Sequence, residues 1–256
     1  MALFLRKFFL MDSVQYNRRP SYGTLSLKAE DVHVWRICLD RDLSYVNTLF
    51  QTLSSDERQK GESYRFDEDR NRFVVTRGTV RKILGEYLNS DPEQIRFSYT
   101  RYGKPFLKQE GNTIRFNVTH SRGLALFAVA CGREIGIDVE FIDKNFPVVK
   151  TAQQVFSPNE CYELQTLEPD LQAASFFRGW TLREAYLKAI GTGFAYPRKH
   201  VADPGITSES HVPFRKTGLR RDRDWTLATL NIDDDYKAAL AVEGKICDIR
   251  YHRIVG

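Results

Sequence analysis

Residues 136–140, with the sequence GIDVE, place two carboxylates one residue apart. In an extended strand, residues two apart point to the same side, so Asp138 and Glu140 face together while Ile137 and Val139 face the other way. The alternation predicts a strand with one apolar face and one anionic face.

A second stretch, residues 180–188 with the sequence WTLREAYLK, predicts a helix. At about 100° per residue, Glu184 lies in the same arc as Trp180, and Lys188 lies one turn beyond it. Removing a carboxylate from water without a partner costs on the order of several kcal/mol, so acids on apolar faces require a cation or hydrogen-bond donors.

The acids Asp138, Glu140 and Glu184 form an oxygen-only donor set that suits a hard metal ion. Mg²⁺ keeps several waters and takes its other ligands from carboxylates and phosphates; whether Mn²⁺ can replace it stays open. Spacing alone leaves two other interpretations: Asp138 and Glu140 as a solvated strand end, and Glu184 with Lys188 as an ordinary helical ion pair.

Composition is that of a soluble globular protein, with 256 residues, 42% hydrophobic and 28% charged. The four cysteines are widely spaced without a C-x-x-C pair, which argues against a disulfide framework and a structural zinc site. The net charge of +5 favours acidic partners. Residues 1–11 lack the continuous apolar run of a signal peptide, which predicts a cytoplasmic protein.

The order of periodic segments predicts an α+β fold. Helices are predicted over residues 43–50, 57–66, 69–88, 158–167 and 171–190. Strands 114–120, 124–130 and 135–140 predict an antiparallel meander that ends in the GIDVE strand. Strands 225–232, 236–243 and 245–254 predict a second meander.

The two acidic stretches, as IGIDVE and WTLREAYLKAIGTG, resemble the signature pair of the Sfp-type 4′-phosphopantetheinyl transferases. Residues 70–81, 95–106 and 116–121 resemble further family segments in the same order. The resemblance implies an α+β fold of two similar halves in pseudo-twofold arrangement, each a three-stranded antiparallel sheet packed with helices. We expect the halves to be residues 1–134 and 135–256, with the active site between them.

The resemblance also implies an activity, the transfer of 4′-phosphopantetheine from coenzyme A to a serine of an acyl or peptidyl carrier protein. Mg²⁺ would be held by Asp138, Glu140 and Glu184, with Glu184 as the first candidate for general base and Lys188 on the pyrophosphate. The carrier would be a small acidic domain that docks transiently near residues 145–156. We expect a monomer without nucleic-acid or membrane partners.

For coenzyme A, the resemblance implies that Arg72, His120 and Ser121 contact the 3′-phosphate. Lys104 and Pro105 would lie in a turn against the adenine. Taken alone, the position of His120 favours a hydrogen-bonded core or strand-end histidine, and Lys104 could be an exposed turn lysine.

Arg183 departs from the family pattern, because many relatives have lysine there and arginine changes the donor geometry. Two other function classes stay open. A Mg²⁺-dependent phosphohydrolase or nucleotidyl transferase would use the same acids. A nucleic-acid-binding protein would use the basic segment at residues 205–223, which carries no recognisable reading motif.

Overall fold

The computed structural model describes residues 17–18, 25–108, 111–192, 212–215, 224–246 and 248–254. The N-terminal stretch of the sequence and most of the basic segment at residues 205–223 lie outside these ranges.

Within the described residues the chain forms six α-helices and eleven strands, which confirms the predicted α+β class. The helices are α1 (Leu43–Phe50), α2 (Ser55–Glu62), α3 (Asp67–Leu88), α4 (Val148–Val155), α5 (Pro158–Thr166) and α6 (Pro169–Ile190). The strands are β1 (Asn17–Arg18), β2 (Asp31–Cys38), β3 (Phe97–Tyr99), β4 (Pro105–Leu107), β5 (Ile114–Ser121), β6 (Leu124–Cys131), β7 (Ile135–Phe141), β8 (Val212–Arg215), β9 (Asp224–Leu230), β10 (Tyr236–Glu243) and β11 (Asp248–Arg253).

The main elements stack in four layers: helix α3, a five-stranded sheet, a four-stranded sheet and helix α6. Phe127 of β6 packs in one apolar cluster with Val74 of α3, whereas the neighbouring Leu126 packs in another with Leu240 of the second sheet. On the far side, Leu182 of α6 packs with residues of β9 and β10. Strand β6 is therefore buried on both faces, which explains its unbroken apolar sequence.

Strand pairing differs from the predicted meanders. The sheet orders are β1–β11–β2–β6–β5 and β7–β10–β9–β8, with β3 and β4 forming a separate hairpin. The GIDVE strand, β7, pairs with β10 rather than with β6, because both edges of β6 are already paired with β2 and β5. The prediction that GIDVE closes the first meander was wrong.

The last strand shows the same effect. Both edges of β10 are occupied by β7 and β9, and β11 instead pairs in parallel with β2 of the first sheet. The sheets thus contain five and four strands rather than three each, and the first includes parallel pairs. Strand β11 returns to the first sheet, so a boundary after residue 134 does not separate the two sheets.

Helix α6, which carries the WTLREAYLK stretch, packs directly on β7, the GIDVE strand, at one glycine. A Cβ atom on Gly136 would stand 2.1 Å from the carbonyl oxygen of Ala185 and 2.4 Å from the backbone nitrogen of Ala189. Only glycine permits this approach of α6 to β7. The contact fixes the distance between the acids of the strand and those of the helix.

Candidate active site

Three carboxylates come together between β7 and α6. Asp138 is buried in the strand, and Glu140 and Glu184 lie close enough to contribute to its electrostatics. Burial raises the pKa of Asp138 to about 7; Lys188 opposes the rise, and repulsion from Glu140 and Glu184 adds to it. The structure therefore gathers the three predicted acids into one cluster.

Asp138 is held by only one of its two oxygens. Lys188 Nζ donates to Asp138 Oδ1 over 2.6 Å and to Thr119 Oγ1 over 3.0 Å. The Thr119 hydroxyl is itself 3.2 Å from Asp138 Oδ1. Asp138 Oδ2 is buried without a hydrogen-bond partner among the described residues. The cluster thus keeps a buried carboxylate oxygen that faces no donor.

Polar side chains at alternate positions of β5 join the edge of the first sheet to β7. The Ile137 backbone N–H donates to Asn117 Oδ1 over 2.9 Å, and the Ser121 hydroxyl donates to Glu140 Oε2 over 3.0 Å. Thr119 lies between them on the same face. These side chains join β5 to β7, whose backbones pair with β6 and β10 respectively.

The same alternation separates Ser121 from His120. Ser121 uses its proton on Glu140, so it is not placed beside His120 as a second phosphate donor. No role for Asn117 or Thr119 was predicted from the sequence. The alternation N-x-T-x-S could have indicated it, because residues two apart in a strand place their side chains on the same face.

His120, on the opposite face, borders a cavity of about 610 Å³ between α3 and β5. Arg72 borders the same cavity, so the structure brings these two predicted ligands together. The lining residues are largely basic or aromatic: Lys60, Tyr64, Asp69, Arg72, Phe73, Thr76, Arg77, Val80, Gly103, Val118, His120 and Arg122. Such a cavity suits an anionic ligand with an aromatic part.

Arg72 is oriented at the cavity wall by two carboxylates, with Nε 2.9 Å from Asp40 Oδ1 and Nη2 2.6 Å from Glu68 Oε1. Loss of solvent around the imidazole, with repulsion from Lys188 and Arg72, lowers the pKa of His120. The lowered pKa favours the neutral ring, and an anion bound beside it would oppose this shift.

Lys104 and Pro105 are placed away from this cavity wall. Lys104 Nζ donates to the carbonyl oxygens of Ile135 and Ala189, each over 3.0 Å, and lies 3.3 Å from Glu134 Oε2. Pro105 begins β4 opposite Tyr99. Here the ammonium joins the hairpin to the start of β7 and the C-terminal end of α6, where a cation also interacts favourably with the helix dipole.

Arg183 points away from the acid cluster. Its guanidinium forms a buried ion pair with Glu160 and stacks on the Phe156 ring, 4.6 Å from the centroid. Glu160 also accepts a hydrogen bond from the Ser157 backbone in the capping box of α5. The residue that departs from the family pattern therefore joins α5 to α6.

No group of three or more His, Cys, Asp or Glu side chains in the described ranges is arranged, as it stands, to hold a metal ion. The acid cluster beside a basic cavity is nonetheless typical of enzymes that transfer phosphate-containing groups, where carboxylates and cations share the negative charge of the substrate. The fold and site together define that class.

Comparison with known proteins gives the family. A model described as the 4′-phosphopantetheinyl transferase superfamily matches residues 134–241, and one described as 4′-phosphopantetheinyl transferase, N-terminal, matches residues 41–132. The 4′-phosphopantetheinyl transferase HetI of Nostoc sp. is 38% identical over 233 residues, covering 90% of this chain and 95% of HetI. The chain belongs to the 4′-phosphopantetheinyl transferase superfamily.

A further relative from the same superfamily is less similar. The 4′-phosphopantetheinyl transferase Sfp of Bacillus subtilis is 30% identical over 167 residues, covering 64% of this chain and 72% of Sfp. Among solved structures, holo-[acyl-carrier-protein] synthase of Thermotoga maritima matches 44% of this chain and 63% of its own at 19% identity, with a TM-score of 0.28.

The helices that the structure describes include none with the length and apolar character to cross a membrane.

Proposed function

We propose that this chain transfers 4′-phosphopantetheine from coenzyme A to a carrier-protein serine at the Asp138–Glu140–Glu184 cluster, with Mg²⁺ as cofactor. The observation that carries the proposal is the buried, unpartnered Asp138 Oδ2 beside two further carboxylates and next to a basic cavity. The family supplies the reaction; the geometry supports the location.

The acid cluster fits a divalent cation. Its donors are oxygens only, which Mg²⁺ prefers, and the unpartnered Asp138 Oδ2 lies beside two further carboxylates. The raised pKa values of Asp138 and Glu140 have burial as their main cause, and repulsion within the cluster adds to both. Asp138, Glu140 and Glu184 would hold the ion, which when bound neutralises phosphate oxygens as a Lewis acid.

The side chains of α6 carry the remaining roles. Glu184 is our candidate to take the proton from the attacking serine hydroxyl, because it belongs to the cluster and lies on the same helix face as Lys188. Lys188 would act as a point charge on the pyrophosphate and so stabilise the charge that develops on the leaving group. Trp180, one turn before Glu184, donates a hydrogen bond that lowers the pKa of Glu140 and helps fix its position.

The cavity would hold the nucleotide end of coenzyme A. Arg72 presents a guanidinium already oriented by Asp40 and Glu68, and the neutral His120 ring can hydrogen-bond the 3′-phosphate. Since Ser121 and Lys104 are engaged elsewhere, we assign the 3′-phosphate to Arg72 and His120 alone. Lys104 and Pro105 would then contribute through the hairpin backbone near Gly103, which lines the cavity.

The acceptor would dock beside α4. Val149 is 41% exposed, and Lys144 and Lys150 flank it at the surface. An apolar residue between two cations suits a small acidic helical domain, so association would weaken with salt. Both motif stretches come from one chain, which supports a monomer with a complete site, and the proposed halves 1–134 and 135–256 contribute the cavity and the acids respectively.

The test is to mix the protein with coenzyme A, Mg²⁺ and an apo carrier domain, and to weigh the carrier for one added phosphopantetheine. Glu184→Gln should abolish transfer and still bind coenzyme A. Glu163→Gln, the same change at an exposed site on α5, serves as the control. Near-normal turnover by Glu184→Gln would remove the base assignment.

The same assay separates the alternative activity. A Mg²⁺-dependent phosphohydrolase or nucleotidyl transferase would cleave coenzyme A or transfer its nucleotide without adding phosphopantetheine to protein. Label placed in the pantetheine part would then stay in small molecules.

A further inference from the structure

Arg122 occupies a strained backbone position in the two-residue loop that joins β5 to β6. Its φ is +50°, and Asn89, at the end of α3, is the other non-glycine residue with positive φ in the described ranges. Glycine is favoured at such a position, whereas arginine adopts it at a cost. A Cβ on the adjacent Gly123 would stand 2.4 Å from Asp40 Oδ2, so the Asp40 side chain would have to move to admit it.

The side chain of Arg122 is fixed without using its hydrogen-bond donors. Its guanidinium carbon lies 3.8 Å from the centroid of the Phe141 ring, a close cation–π contact. In the described part of the chain no ion pair or hydrogen bond engages this guanidinium, unlike Arg72 and Arg77 of the same cavity, which have carboxylate partners. An exposed arginine fork is thus presented with its donors available.

The location of Arg122 decides what those donors can meet. Arg122 lines the cavity that also contains Arg72 and His120, and Phe141, on which it stacks, directly follows Glu140 in β7. The preceding residue, Ser121, donates its hydroxyl to Glu140 Oε2 and accepts from the Phe141 N–H, so the loop that carries Arg122 joins the cavity to the acidic strand. Coenzyme A bound with its 3′-phosphate in the cavity and its pyrophosphate at the acids would pass this loop.

We propose that Arg122 binds the pyrophosphate of coenzyme A, a role that rests on the proposed transferase function. Arginine suits phosphate oxygens because its planar fork can donate two parallel hydrogen bonds. The strained turn directs this guanidinium across the Phe141 ring. Arg122 would orient coenzyme A for attack and, together with Lys188, would neutralise the negative charge of the pyrophosphate.

The experiment measures binding of coenzyme A and 3′-dephospho-coenzyme A by calorimetry, with Mg²⁺ present and no carrier protein. Arg122→Gly removes the side chain and relieves the positive φ, so its melting temperature should equal or exceed that of the native protein. Arg122→Lys keeps the charge without the fork. Arg253→Ala, which removes an exposed arginine from β11, controls for net charge.

We expect Arg122→Gly to weaken both ligands by the same factor, about tenfold, because both contain the pyrophosphate. Arg122→Lys should fall between it and the native protein, and Arg253→Ala should match the native protein. Unchanged affinity for both ligands, or an effect on coenzyme A alone, would each overturn the assignment. Failure of the native protein to bind coenzyme A would instead overturn the proposed function.

Discussion

The Lys188 ammonium lies 2.6 Å from Asp138 Oδ1 and bonds the carboxylate on one side only. This ion pair joins α6, the helix of the second acidic stretch, to β7, the strand of the first. Thr119 completes the contact from β5, since its hydroxyl is within hydrogen-bond distance of both partners. Three elements therefore meet at one carboxylate oxygen and leave the other available.

Thr119 should be a positioning residue for this pair. Thr119→Val keeps the shape of the side chain and removes the hydroxyl, so transfer should fall about 10- to 100-fold, with divalent-cation affinity falling in parallel. Thr119→Ser should restore both. Coenzyme A binding, measured separately, should change little. Equal transfer rates for the Val and Ser variants would contradict the role.

Gly136 should tolerate no side chain. Gly136→Ala places a methyl group against the backbone of α6, which we expect to cost about 3 kcal/mol of unfolding free energy or more and to reduce transfer by moving Glu184 away from Asp138. Gly61→Ala, in α2, is the matched control, because its Cβ would come no closer than 3.6 Å to a neighbouring atom. Urea unfolding of both variants gives the comparison, and equal stabilities would refute the close packing.

The buried ion pair of Arg183 and Glu160 should be costly to break. Glu160→Gln retains an acceptor for the helix cap but leaves the guanidinium without a counter-charge, at an expected cost of about 3–5 kcal/mol. Arg36→Met breaks the more exposed pair with Asp233 and should cost less than about 1 kcal/mol. Denaturant unfolding measures both, and the double variant Glu160→Leu with Arg183→Met should lose less than the sum of its single changes.

Acid should destabilise the protein through His33. Burial lowers the pKa of His33 from 6.5 to about 4, with His252 and Arg250 adding to the effect and Asp248 opposing it. The folded state thus favours the neutral ring, so this contribution is fully present above pH 6.5 and is lost as the pH falls towards 4. The total is about 3 kcal/mol.

The measurement is the unfolding free energy of the native protein and of His33→Gln at several pH values between 7.5 and 4.5. The difference between the two proteins isolates the histidine from carboxylates that titrate in the same range. The variant should show the flatter profile. Parallel profiles would show that His33 does not carry the effect.

The sequence predicted local structure well where a pattern is complete within one segment. The helix over residues 43–50 and the long helices that became α3 and α6 follow from apolar periodicity and from end signals such as Gly191, whose φ is +69°. The acids of GIDVE and the Glu184 helix face were likewise readable, because their spacing alone places each set on one side.

Strand partners could not be read in the same way. Alternation indicates that a segment is a strand but carries no information on which edge it will meet, and sequence neighbours are the default partners. Strands β6 and β10 each had both edges occupied by other strands, which only the assembled sheets reveal. The fates of Lys104 and Arg183 depended on the same long-range packing, since their partners Ala189 and Glu160 lie 85 and 23 residues away in the chain.

The parallel pairing of β11 with β2 has a consequence for how the chain can be divided. Strands β7, β8, β9 and β10 of the second sheet follow one another in the sequence, whereas the first sheet takes β11 from beyond all of them. Residues 1–134 expressed alone would therefore lack β11 and leave an edge of β2 unpaired, which is a template for aggregation.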